Sequence, residues 1–432
     1  MYMAKIRLII GFATFFDGFD SVAISYALPA LIPLWHLSPT DIGWLIGCGA
    51  LGQMAGALVF GRIAERIGRL PATAWTIGIF SVATLLSIFA QNEQTLFTLR
   101  VVQGIGLGGQ VPIAATYINE ISKAQNRGRF VLLYESIFAF GLFGAAFIGR
   151  ALVPTFGWQA LFVVGALPLL IAIPLRRILP ESPRWLLMRG RTEDAANVLD
   201  IMEAAIVREG KLLAEPVLRS LPPQAAHGWK ELFGDFYMKR TLFVWCLAFL
   251  SGMLSHGLIN WLPSLYKTVY HLPTSEALSL SLFNSVLSVC GPLACALAVD
   301  HVGRRAWFTG TFLGAGVALG VLAVVTHGAP SVASVVVLAA LGTFFISSIV
   351  NMVYLYIPEL YPTRLRATGS GAAGFYLRLG NFLAPTAVGY ILAGGGIDGV
   401  FGMISVVGFL GVVLFALFGI ETRKRVLEEV SP

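Results

Sequence analysis

Residues Gly61–Leu70 read GRIAERIGRL, and Ala296–Arg305 read ALAVDHVGRR. Each is a short charged segment at the end of a long apolar run, and the two lie 235 residues apart. Farther out the pattern continues. Tyr117 opens YINEISKAQNRGR and Tyr356 opens YIPELYPTRLRATG, 239 residues later. Both set Glu seven residues before Arg, as Glu120 with Arg127 and Glu359 with Arg366. The chain is therefore written twice, with charged punctuation at matching places.

Between the punctuation the chain is apolar. It has 432 residues, 56% hydrophobic and 12% charged, with 30 Phe. Soluble domains carry about 25% charged residues, so the composition is that of a polytopic membrane protein. A span needs about 20 apolar residues. Runs of that kind cover 7–33, 42–62, 72–91, 95–119, 130–152, 158–178, 241–266, 275–299, 306–327, 331–357, 367–393 and 398–420. The expected fold is all-α: twelve transmembrane helices in two six-helix bundles, 1–179 and 241–420. A polar linker, 180–240, joins them, and 421–432 forms a tail. Within the linker TEDAANVLDIMEAAIVREG has the amphipathic period of a short helix.

A net charge of +7 could suggest nucleic acid, but its placement does not. All Lys and Arg other than Arg100, Arg150, Lys267 and Arg378 fall in the tails or in alternate loops. That is the positive-inside pattern, with both termini in the cytoplasm. Cys48, Cys246, Cys290 and Cys295 lie in apolar runs without metal spacing, and packing is their expected role. The first apolar run follows Lys5 and Arg7 but is too long for a signal-peptide core, so it reads as a retained span. No nucleophile–base spacing or nucleotide loop suggests an enzyme, and no cofactor or metal is expected. GIGLGG from Gly104 lies inside a span and reads as helix packing.

Five charges sit inside spans, away from their ends: Asp17, Asp20, Arg100, Glu135 and Arg378; Arg150, near the outer end of the fifth span, is expected at the lipid interface. A buried carboxylate or guanidinium at mid-span costs roughly 2.5–3.5 kcal/mol on insertion scales. The 235–239 offset gives none of them a charged twin. Shared scaffolding does not account for them, so they are the candidates for substrate and proton chemistry. Asp17 and Asp20, three residues apart, share a helix face. Asn381, Phe382 and Pro385 share the face of Arg378. An arginine with an amide and a ring suits an aryl carboxylate.

These features resemble the major facilitator superfamily. Its loop signature, G-x-x-x-[DE]-[RK]-x-G-[RK], is met by Gly61, Glu65, Arg66, Gly68 and Arg69, and in worn form by Asp300, Gly303, Arg304 and Arg305. RVVQGIGLGG from Arg100 resembles the superfamily's span-4 motif. PESPRWLL from Pro180 and ETRKR from Glu421 resemble sugar porters and organic-ion transporters. DGFD at Asp17–Asp20 resembles the aromatic acid/proton symporters, and LLYES, ending at Glu135 and Ser136, the niacin-transporter-like branch. The Gln pair of sugar porters is missing from span 7, and their G-P-x-P-W is missing from span 10.

The resemblance implies roles. Glu65, Arg66, Arg69, Glu120, Arg127, Asp300, Arg304, Glu359 and Arg366 would form a gating latch, the alternative being ordinary surface ion pairs. Asp20 would couple protons beside Arg100, with Asp17 as neighbour; a static buried pair is the alternative. Arg378 would bind a substrate carboxylate. Glu135 aligns with a sugar-binding Gln, so it would face the cavity or form a structural pair. His256, Asn260, Asn351, Tyr354 and Phe344 would finish the cavity or pack the core.

The expectation is a monomeric transporter of a bacterial inner membrane, working by alternating access. It would import a small organic acid, most simply an aromatic carboxylate, with protons. A sugar or polyol symporter, an organic cation or zwitterion transporter, and a transporter-like sensor are the alternatives. Its partners are the small-molecule substrate, protons and the lipid bilayer.

Overall fold

A chain in lipid must satisfy every backbone N–H and C=O internally, and long helices do so. The computed structural model describes residues 2–121, 127–208, 229–328 and 331–423. No strand occurs among the described residues, and nine helices there are long and apolar enough to cross a membrane. The side chains of Arg127 and Glu135 lie outside the description, so the roles expected of them cannot be placed in this structure.

The helices follow the apolar runs: α1 Tyr2–Trp35, α2 Pro39–Ile67, α3 Arg69–Ser87, α4 Glu93–Ile121 and α5 Arg127–Phe156. The sixth run is broken into α6 Gln159–Gly165, α7 Leu169–Ala172 and α8 Leu175–Ile178. Pro168 and Pro174 stand just before α7 and α8, where a missing N–H is harmless. The linker holds α9 Pro183–Met188, the expected amphipathic helix as α10 Thr192–Arg208, and a 3-10 turn at Trp229–Phe233.

The second repeat gives α11 Asp235–Leu258, α12 Leu262–Thr268, α13 Thr274–Val302, α14 Arg304–Thr326, α15 Val332–Glu359 and α16 Thr363–Phe418. The seventh run is thus split, with Pro263 in the first turn of α12. Helix α16 joins the last two runs across a break at Gly396, whose φ is +76°.

By packing, the chain forms two compact units. One comprises Met1–Ser21, Leu51–Leu142 and Gln159–Pro223. The other comprises Val22–Ala50, Phe143–Trp158 and Gln224–Pro432. The second unit thus combines the whole second repeat with one end each of α1, α2 and α5.

The first unit is built around Ile10, Leu70, Ile77, Phe80, Leu107 and Tyr117. In the second, Phe308 stacks on Phe415 with ring centroids 4.4 Å apart, and Phe243 and Tyr356 pack edge-on around them.

A close crossing within the second unit joins α2 to α16. Residues 39–43 read PTDIG and residues 385–389 read PTAVG. A Cβ on Gly43 would lie 2.5 Å from the Pro385 carbonyl oxygen, and a Cβ on Gly389 would lie 2.5 Å from that of Pro39. The two antiparallel segments therefore meet reciprocally, backbone on backbone, as small residues allow in membranes. Trp261, fully buried, donates from Nε1 to the same Pro385 oxygen at 3.2 Å. Tyr26 Oη and Ser285 Oγ, 2.7 Å apart, add a buried hydrogen bond between α1 and α13.

Candidate functional site

Asp20 lies on α1 in the first unit with no exposed surface, and Asp17 is nearly as buried. Gly165 on α6 makes the room, because a Cβ there would overlap Asp20 Oδ1. Arg100 on α4 comes alongside, as the sequence suggests. Its Nη1 donates to the Asp20 backbone oxygen at 3.2 Å and to Gln103 Oε1 at 2.7 Å. Gln103 Nε2 in turn donates to Thr84 Oγ1 at 2.7 Å. The carboxyl group faces Gln103 and Thr84 and feels the charges of Arg100 and Asp17. Neither of its two oxygens makes a hydrogen bond among the described residues. Gln103, Thr84 and Gly165 thus complete a cage that the charge pattern alone does not reveal. Gln103, one turn beyond Arg100, is the one of them that helical spacing could have found.

The charged motifs form one cluster in each unit, and the two clusters match. In the first, Arg69 grips Glu120 with two bonds, Nη2 to Oε1 at 2.9 Å and Nε to Oε2 at 3.2 Å. Gly68, at φ +109°, lets the chain turn into α3. The first N–H groups of α3 then donate to Glu181, Arg69 N to Oε1 at 3.0 Å and Leu70 N to Oε2 at 3.2 Å. Tyr117 Oη donates to the Pro180 oxygen at 2.6 Å.

In the second, Arg304 reaches Glu359 at 3.3 Å and Asp300 at 2.8 Å. Gly303 turns at φ +97°. Arg304 N and Arg305 N donate to Glu421 at 2.9 and 3.0 Å, and Tyr356 Oη donates to the Ile420 oxygen at 2.6 Å. Glu181 and Glu421 are therefore twin helix caps. Arg366 donates to the carbonyls of Pro358 and Tyr361, at 3.0 and 3.5 Å. Glu65 and Arg66 are exposed, and their carbonyl oxygens accept from Arg189, at 2.7 and 3.4 Å.

The twins differ in charge balance. Burial pushes the Glu181 carboxyl above its ordinary range, and N–H donors from Ser182, Leu70 and Arg69 offset this only in part. Glu421 is more exposed. There burial is outweighed by N–H donors from Arg304, Arg423 and Arg305 and by the Arg304 charge, and its pKa is lowered.

Most substrate candidates fall in the second unit. Arg378, half-buried on α16, donates from Nη1 to the Gly374 oxygen at 3.2 Å. Asn381 is 9% exposed, and its Oδ1 is buried without a hydrogen-bond partner among the described residues. Such a group costs about 1–3 kcal/mol until something donates to it. Pro385, lacking an N–H, leaves the Asn381 carbonyl without its helical donor as well. Phe382 packs against Trp44 of α2, ring centroids 5.6 Å apart.

His256 Nδ1 sits 3.1 Å from Ser255 Oγ, and Asn260, buried, lies in the break between α11 and α12. Asn351 is half-buried on α15, Tyr354 is 49% exposed, and Phe344 packs on Phe345. Arg150, expected at the lipid interface, donates to Ser279 of α13.

Comparison with known proteins agrees with this architecture. The family model described as sugar (and other) transporter matches residues 1–432. The niacin transporter NiaP of Acinetobacter baylyi is 31% identical over 427 residues, covering 98% of this chain and 95% of the relative. The benzoate transport protein of the same organism is 29% identical over 385 residues, covering 88% and 81%. The inward-open structure of the xylose transporter XylE from E. coli superposes with a TM-score of 0.76 at 19% identity, covering 100% of this chain and 99% of that one. The chain belongs to the sugar (and other) transporter family of the major facilitator superfamily and is a multi-pass membrane transporter, not an enzyme.

Proposed function

We propose that this transporter imports a small aromatic carboxylate together with protons, by alternating access, with both termini in the cytoplasm of a bacterium. The observation that carries the reading is the Arg378 face of α16. It combines a cation and an aromatic ring within about 6 Å along the helix, beside the buried Asn381 amide, whose Oδ1 packs toward Gly252 of α11. That set suits an anion on a flat ring, benzoate-, hydroxybenzoate- or nicotinate-like. The relatives named for niacin and benzoate transport point the same way.

Proton coupling falls to Asp20. Protonation would remove its charge opposite Arg100 and loosen the cage of Gln103 and Thr84. Ionisation would restore both. A ligand shifts such an equilibrium only by differing in affinity for the two states, so the substrate must favour the state that Asp20 protonation favours. Asp17, close enough to feel the same charge, would tune that step. The matched Arg69–Glu120 and Arg304–Glu359 clusters would latch and release as the halves rock.

The test of the substrate class is Arg378→Lys, which keeps the charge and removes the planar fork. Benzoate and nicotinate binding should weaken about tenfold, roughly 1.4 kcal/mol, with little change in thermal stability. Unchanged carboxylate affinity would remove Arg378 from the site.

A further inference from the structure

We infer that a proton leaving Asp20 crosses the inside of the first unit, by way of Asp17 and a water held between Gln110 of α4 and Thr73 of α3. The inference rests on the proton-coupling reading of Asp20 above and adds the exit route. A cavity of about 10 Å³, the room that one water needs, lies between α1, α3 and α4. Ile10 and Ala13, Thr73 and Ile77, and Gln110 and Tyr117 line it. Gln110 is 1% exposed, and its Oε1 has no hydrogen-bond partner among the described residues. Thr73 Oγ1 donates its hydrogen to the Arg69 oxygen at 2.8 Å, so toward any further partner it acts as an acceptor. Two acceptors on one small cavity call for an occupant that donates twice, and water does so.

The cavity lies in line with the aspartates. Ile10, Ala13, Asp17 and Asp20 fall at the three- and four-residue spacings of one face of α1. Along the axis Asp17 stands about 4.5 Å from Asp20 and about 6 Å from Ala13. On the other side Tyr117 is bonded to Pro180, next to Glu181, in the charged cluster at that end of the unit. The Asp20 carboxyl gives its proton to the Asp17 carboxylate, and Asp17 passes it to the water. The water releases one of its own protons toward the cluster, so one proton moves and the water is regenerated. The second repeat separates this line from the shared scaffold. The offset of 235 carries Thr73 to Phe308 and Thr84 to Leu319, and that of 239 carries Gln103 to Gly342 and Gln110 to Ile349. Phe308, Leu319 and Ile349 are fully buried, and Phe308 stacks on Phe415. The buried polar line of α3 and α4 thus belongs to the repeat that carries the aspartates.

The experiment uses the full chain in vesicles, with benzoate as the probe. An internal pH dye follows benzoate-driven proton entry, and labelled benzoate follows exchange at equal pH. Thr73→Val and Gln110→Met keep the side-chain size and remove the acceptor. Each should slow proton entry about three- to tenfold and leave exchange, in which Asp20 stays protonated, within about twofold. Thr73→Ser keeps the hydroxyl and should keep the wild-type rate. One water serves both groups, so the double variant should be no slower than the slower single one. If Gln110→Met does not fold, Gln110→Leu carries the same expectation. Unchanged proton entry, slowing that multiplies in the double variant, or equal loss of entry and exchange would overturn the route. Accumulation by Asp20→Asn at the wild-type level would overturn the coupling reading itself, and this inference with it.

Discussion

Glu181 and Glu421 hold equivalent helix ends, yet burial sets them apart. The Glu181 pKa is raised, so its contribution to stability is present at low pH and is lost as pH rises through the raised value. The Glu421 pKa is lowered, so its contribution is present above the ordinary carboxylate range and is lost as pH falls through the lowered value. Thermal unfolding of Glu181→Gln and Glu421→Gln across about pH 2.5–8, which spans the carboxylate range on both sides, should therefore give gaps to the wild type with opposite slopes. The Glu421 gap should close on acidification and the Glu181 gap should widen. Slopes of the same sign would contradict the assignment. Neither role is legible in PESPRWLL or ETRKR alone, because the helix ends they cap present backbone N–H groups more than 100 residues away. The two aspartates are legible, since the repeat leaves them without charged twins. Their cage is not, because Thr84 and Gly165 are uncharged and come from other helices.

The crossing of α2 and α16 depends on Gly43 and Gly389 equally, because each faces the backbone carbonyl of the other's proline. Gly43→Val and Gly389→Val should each cost about 1–3 kcal/mol, as overpacked sites do. Once the helices have been forced apart, the second substitution meets less resistance, so the double variant should cost less than the sum. Gly78→Ala, with open space around its Cβ position, is the control and should be near neutral. Strict additivity in thermal unfolding would show that the two glycines do not share one contact. Helix positions follow from apolar run length, and all but the sixth and seventh runs give one continuous helix per span. The crossing is hidden because PTDIG and PTAVG lie 346 residues apart. They belong to helices that are not repeat equivalents, so comparing the halves does not align them.

At the scale of the whole molecule, the duplicated motifs and the twelve apolar runs make the transporter class legible in the sequence. The grouping by packing is not, because α1, α2 and α5 each divide between the two units. Helix exchange of that kind depends on contacts made far from the motifs. In the mechanism proposed above, Asp20 lies in the first unit and the Arg378 face in the second, so coupling would require that one report on the other. The most direct test is uptake of labelled benzoate into vesicles containing the full chain, with an acidic exterior, comparing the wild type with Asp20→Asn. Coupling through Asp20 predicts that the wild type accumulates benzoate above equilibrium, whereas Asp20→Asn keeps counterflow exchange and loses accumulation. Accumulation by Asp20→Asn at the wild-type level, or loss of exchange as complete as the loss of accumulation, would contradict it.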